Sequence, residues 1–185
     1  ETPVYNGKGY FPCRYPKATY AAMITYFDQQ IGKLIDELKR LGIYDNTIIM
    51  FTSDNGPTHN AYTSTDWFEC AAPFRSIKGW TKRSLHEGGI RVPFIVSWGD
   101  RLTPEVSDHI GFFPDVMPTL CDIADVKCPE TDGISFLPIL TGDRQKEHKY
   151  LYWEFPPFKA DKGWLCVRMG EWKGLVTEVA AGNST

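Results

Sequence analysis

The chain has 185 residues, 42% hydrophobic and 14% aromatic, a composition that suits a globular protein with a core and not a disordered tail. A net charge of −3 argues against nucleic acid or an anionic membrane surface as the main partner. Five scattered cysteines without a Cys-x-x-Cys pair argue against a zinc ribbon or a thioredoxin-like site, and no apolar run reaches the roughly 18 residues that span a bilayer.

In chain order, residues 1–17 are rich in Gly, Pro, Tyr and Lys without a period and are expected to form an extended strap. From residue 18, Tyr20, Met23, Ile24, Phe27, Ile31, Leu34, Ile35, Leu38 and Leu41 recur at the three-and-four spacing of one helical face. Lys39 and Arg40 suit the C-terminal end of that helix, and Gly42 suits the position just past it. Residues 47–52 are apolar and β-branched throughout, which predicts a central strand covered on both faces and, with the helix before it, half of a right-handed βαβ unit. That strand empties into Ser53-Asp54-Asn55-Gly56-Pro57, at the end where open α/β sheets place ligands.

Residues 57–90 lack a period and are expected to form a long loop, followed by a second buried strand over 93–98. A helix over 114–124, a turn at Asp132-Gly133 and a short helix over 136–140 come next. The aromatic-rich segments 150–154, 164–168 and 172–176 read as an antiparallel meander.

Two segments carry chemistry. Asp54 and Asn55 offer a carboxylate and an amide carbonyl, hard oxygen donors for Ca²⁺ or Mg²⁺, with Gly56 free to take any strained angle. The alternative is an Asx-turn that caps the next segment. Lys82-Arg83-Ser84-Leu85-His86-Glu87-Gly88-Gly89-Ile90-Arg91-Val92-Pro93 places a lysine, a glycine pair and an arginine ahead of a strand. A lysine there can act as a point charge on a sulfate or phosphate oxygen, and Glu87 can pair with Arg91 to hold the loop. The alternative is a solvated charge run.

Taken in order, Asp28-Gln29-Gln30-Ile31-Gly32, Ser53-Asp54-Asn55-Gly56, Lys82 with Glu87-Gly88-Gly89-Ile90-Arg91-Val92-Pro93, Asp115-Val116-Met117-Pro118-Thr119-Leu120 and Asp132-Gly133-Ile134-Ser135-Phe136 resemble the sulfatase family, in its arylsulfatase-A-like, bacterial glycan-sulfatase form. The resemblance implies an alkaline-phosphatase-like α/β fold, with residues 1–145 as the C-terminal part of the catalytic domain and 146–185 as an antiparallel subdomain. It implies a Ca²⁺ ion, in preference to Mg²⁺, with Asp54 and Asn55 among its ligands. It makes Lys82, five residues before Glu87, the catalytic lysine on the sulfate, with Lys78 as the competing candidate.

The resemblance further implies hydrolysis of sulfate esters on a sulfated carbohydrate or aryl sulfate, and a periplasmic or secreted location. His59 and Arg75 are candidates to join Lys82 in touching substrate, with an exposed loop histidine as the alternative for His59. Arg75, Trp67 and Trp80 are candidates for a sugar subsite, with core or loop packing as the alternative for the two tryptophans. The formylglycine nucleophile of the family arises at Cys (or Ser)-x-Pro (or Ala)-x-Arg. Cys13-Arg14-Tyr15-Pro16-Lys17 and Cys70-Ala71-Ala72-Pro73-Phe74-Arg75 have the wrong spacing. The expectation is therefore a fragment without activity of its own, its nucleophile in a missing N-terminal part. Two alternatives remain open: a phosphodiesterase or phosphonate monoester hydrolase of the same superfamily, and a non-catalytic glycan-binding relative. Asp115 reads as a helix-start residue, not a ligand.

Overall fold

The structure, a computed structural model, describes residues 13–59, 65–155 and 163–179. Residues 1–12 of the expected strap lie outside the described residues. The chain divides into two compact units, one up to Gly99 and one from Asp100.

The first unit opens with helix α1 (Pro16–Arg40), which starts two residues earlier than its apolar periodicity because Pro16 fits the first turn, where no backbone donor is needed. It ends as expected. Gly42 takes φ +69°, its N–H reaches the Lys39 carbonyl, and the Ile43 N–H reaches that of Leu38, the two bonds of a Schellman cap. The apolar face is laid out as the spacing predicts, with Tyr20 against Phe68 (ring centres 5.1 Å apart) and Phe27 against Phe51 (6.2 Å), yet none of its residues is buried.

Strand β1 (Ile49–Thr52) departs from expectation. It pairs antiparallel with β2 (Phe94–Ser97), in the register Thr52↔Phe94 to Ile49↔Ser97, and the two form a two-stranded sheet. A parallel crossover needs a substantial connecting element, usually a helix. The connection here holds only one helical turn among its described residues, α2 (Glu87–Ile90), so the chain returns alongside itself. The expected double-sided burial is also absent: Phe51, Phe94 and Ile95 are exposed. An apolar pattern records what a strand can be buried by, not whether a second layer is present.

The second unit contains α3 (Val116–Ile123), preceded by a 3-10 turn at Phe113–Asp115, and α4 (Leu137–Leu140). The meander forms as expected: β3 (Leu151–Phe155), β4 (Gly163–Met169) and β5 (Trp172–Val179) run antiparallel in the order β3-β4-β5. Cross-strand pairing puts Leu151 and Cys166 on its buried face and Tyr152, Val167, Met169 and Trp172 on its exposed one. No helix among the described residues is long and apolar enough to cross a membrane.

Candidate active site

The antiparallel pairing of β1 and β2 determines what meets at this site. Because Thr52 faces Phe94, the turn leaving β1 and the segment entering β2 lie at the same end of the ribbon. A parallel neighbour would have put them at opposite ends. The two chemistry-bearing motifs, nearly thirty residues apart in sequence, are thereby brought side by side.

Two backbone hydrogen bonds join them. The Gly56 N–H donates to the Gly89 carbonyl at 2.8 Å, and the Lys82 N–H donates to the Pro57 carbonyl at 3.0 Å. The approach is so close that a Cβ on Gly56 would fall inside the envelope of the Gly88 carbonyl oxygen. A Cβ on Gly88 would lie 2.6 Å from the Trp80 carbonyl oxygen and 2.7 Å from that of Arg75. Three glycines therefore let four backbone segments stack without side chains between them. Gly88 and Gly89 sit in the single turn of α2, which the expected loop did not include; Glu87 and Arg91 pair across it at 3.6 Å, as their spacing predicts.

The Asp54 turn is closed by its neighbours. Ser53 Oγ donates to the Asn55 carbonyl at 2.8 Å, and Asn55 Nδ2 donates to the Gly56 carbonyl at 2.9 Å. That leaves Asn55 Oδ1 free of the turn, and the exposed Asp54 carboxylate has no hydrogen-bond or ion-pair partner among the described residues. The Asx-turn alternative is thus not what Asp54 does here. Lys82 is likewise exposed and pairs with no described carboxylate, so the two opposite charges stand in abutting turns without engaging each other. Lys78 lies in the separate turn closed by Trp80 N–H to the Ile77 carbonyl at 3.1 Å.

A test of the implied metal comes from this donor chemistry. Asp54 and Asn55 supply two hard oxygens, which fits part of the six to eight that Ca²⁺ takes. Among the described residues no group of three or more His, Cys, Asp or Glu side chains could hold an ion by itself.

His59 is half-buried, with Nδ1 2.8 Å from Thr65 Oγ1. Thr65 spends its one hydroxyl proton on the Ser76 carbonyl at 2.8 Å, so it can only accept from the ring. His59 therefore carries a proton on Nδ1, and in the neutral ring Nε2 keeps its lone pair. Sequence reasoning missed the scaffold behind this. Thr65, Ser76, Thr81, Ser84 and Leu85 are buried, making the aperiodic loop a packed element tied by Ser76 Oγ to the Ala71 N–H at 2.8 Å. Hydroxyl residues in a loop carry no periodic signature, and only the Gly88-Gly89 pair hinted at close packing.

Thr81, beside Lys82, is buried with a hydroxyl that finds no partner among the described residues. Replacing it with valine removes an unsatisfied group at nearly constant shape. Thr81→Val is expected to raise the stability of the chain by about 1 kcal/mol, read as a higher urea midpoint at unchanged slope.

The family described as Sulfatase matches residues 6–126, a span that includes both motifs. The chain belongs to the sulfatase family. The family described as N-sulphoglucosamine sulphohydrolase, C-terminal, matches residues 77–179. An uncharacterized sulfatase of Escherichia coli, YdeN, is 34% identical over 138 residues, covering 72% of this chain and 23% of its own length. Arylsulfatase A of Homo sapiens is 27% identical over 174 residues, 92% of this chain and 32% of its own. An endo-4-O-sulfatase of Bacteroides thetaiotaomicron is 29% identical over 128 residues, 68% of this chain and 22% of its own. The chain thus spans less than a third of each of these sulfatases. Its helices and small antiparallel sheets agree with the alkaline-phosphatase-like α/β class of the family.

Proposed function

We propose that the whole protein hydrolyses sulfate esters on a sulfated carbohydrate, and that this chain supplies one side of the catalytic cleft. The observation that supports the reading is the hydrogen-bonded junction of Gly56 with Gly89 and of Lys82 with Pro57, because it sets the turn that carries Asp54 and Asn55 against the loop that carries Lys82. Sulfatase relatives that include an endo-4-O-sulfatase, and the match to an N-sulphoglucosamine sulphohydrolase C-terminal region, support a carbohydrate substrate.

Each residue has a separable task. Asp54 and Asn55 are two of the oxygen ligands of a Ca²⁺ ion, whose longer and more adaptable coordination shell suits adjacent ligands better than that of Mg²⁺. When bound, the ion supplies positive charge against the sulfate oxygens. Lys82 holds a point charge on another sulfate oxygen and neutralises charge that grows in the transition state. The hydrogen bond that Asn55 Nδ2 donates to the Gly56 carbonyl holds Oδ1 in one orientation. His59 Nε2 accepts a hydrogen bond from a sugar hydroxyl, its ring fixed from behind by Thr65. The nucleophile, a formylglycine, comes from sequence outside these 185 residues. Sulfated glycans are extracellular, so the same reading places the protein in the periplasm or outside the cell.

The test pairs an aryl sulfate with the matching phosphate ester. The whole protein is expected to turn over the sulfate, and Lys82→Ala to lower kcat by about a hundredfold, the usual loss of one transition-state contact. The 185-residue chain alone is expected to show no turnover. Preference for the phosphate ester, or turnover by the chain alone, overturns the reading.

A further inference from the structure

Arg75 enters the same cluster through its backbone, since its carbonyl oxygen is among the atoms that a Cβ on Gly88 would meet. Its guanidinium carbon lies 4.4 Å from the ring centre of Trp80. The Trp80 ring is also stacked on His86, 3.7 Å between centres and 15° between planes. Two planar groups, each roughly 3.5 Å thick, cannot share one face of an indole at such separations, so Arg75 and His86 clasp Trp80 from opposite sides.

Two consequences follow from the clasp. Trp80 has no open face for a sugar ring, which removes it from the expected stacking subsite. Arg75, by contrast, is restrained over the indole by a cation–π contact, and none of its side-chain N–H groups donates to a described residue. The residue is exposed, and no described carboxylate pairs with it. A fork restrained in this way, on a segment whose backbone packs against Gly88 of the lysine loop, suits a second oxyanion with two coplanar oxygens.

We infer that Arg75 selects substrates carrying a second oxyanion, a carboxylate or a further sulfate, next to the sulfate held by Lys82. The inference rests on the sulfatase reading and adds a specificity determinant to it.

The experiment titrates the ¹⁵N-labelled chain, with Ca²⁺ present and at physiological ionic strength, where exposed charges beyond about 8 Å are screened. The probes are a neutral monosaccharide monosulfate, the same sugar as a disulfate, and a monosulfated disaccharide bearing a uronic carboxylate. At least one doubly anionic probe is expected to bind about ten-fold more tightly than the monosulfate, as one charge-assisted bidentate contact provides. A gain for the disulfate alone identifies the second group as sulfate, and a gain for the uronate alone identifies it as carboxylate. Arg75→Gln is expected to abolish the gain, while Arg75→Lys restores only part of it because the fork is lost. Lys82→Ala weakens all three probes.

Absence of any gain in the wild-type chain, or its survival in Arg75→Gln, overturns the inference while dependence on Lys82 leaves the sulfatase reading standing. Failure of every probe to bind, or indifference to Lys82→Ala, overturns the site reading and this inference with it.

Discussion

Gly56→Ala is expected to cost about 3 kcal/mol or more of stability and to separate the Asp54 turn from the Lys82 loop. The new methyl has nowhere to go, because the atoms it meets are the Gly88 carbonyl and the Gly89 Cα, and backbone cannot swing aside as a side chain can. Moving it away strains the Gly56–Gly89 and Lys82–Pro57 hydrogen bonds together, since both span the same junction. A domain of ordinary stability, about 5–15 kcal/mol, loses a large fraction of its margin by such a change.

Gly32→Ala serves as the control. Gly32 lies inside α1 with open space around its Cβ position, so the same substitution there is expected to stabilise by up to about 1 kcal/mol through helix propensity. Urea unfolding of the two variants checks both signs. A Gly56→Ala midpoint that does not fall would show that the junction is looser than the backbone contacts require. In Gly56→Ala the amide resonances of residues 82–89 are also expected to shift, tying the loss of stability to the loss of the site.

Asp115→Ala is expected to destabilise the second unit by about 4 kcal/mol. Asp115 is 1% exposed, and its carboxylate serves three donors. Oδ2 accepts from the Phe112 N–H at 3.0 Å, while Oδ1 accepts from the Ile134 N–H at 2.8 Å and from His148 Nε2 at 2.8 Å. Truncation leaves all three without an acceptor in a buried place. One turn further along α3, Thr119 Oγ1 donates to the Asp115 carbonyl at 2.7 Å and accepts from the Phe136 N–H at 2.9 Å. Residues 134–136 are thus held to the start of α3 by two polar side chains as well as by the buried Phe136.

Asp115→Asn tests the account further. An amide offers one oxygen where the carboxylate offers two, so one backbone N–H must face an NH₂ group, and the loss should fall between wild type and Asp115→Ala. The Phe112 ring meets His148 edge-on, with centres 5.0 Å apart, so the His148 ring resonances report the rearrangement directly. An Asp115→Ala variant as stable as wild type would mean that water replaces the carboxylate without cost.

Both residues show where local pattern stops. The α1 face, the Gly42 cap, the three strands of the meander and the Glu87–Arg91 pair were all legible in the order of residues, because each depends on neighbours within a few positions or on a regular period. The helix-start character of Asp115 was legible for the same reason; its role as the hub for Phe112, Ile134 and His148 was not, since those partners lie up to 33 positions away.

At the site, residue types left Asp54 and Asn55 open between a cation site and an Asx-turn, and the lysine segment open between a sulfate contact and a solvated charge run. Only the resemblance to sulfatases singled out Asp54, Asn55 and Lys82. Whether they stand together depended on the direction in which β2 returns along β1, and an apolar strand pattern is the same for either direction. The junction itself is glycine backbone against glycine backbone, and such a contact has no side chain through which a sequence can announce its partner.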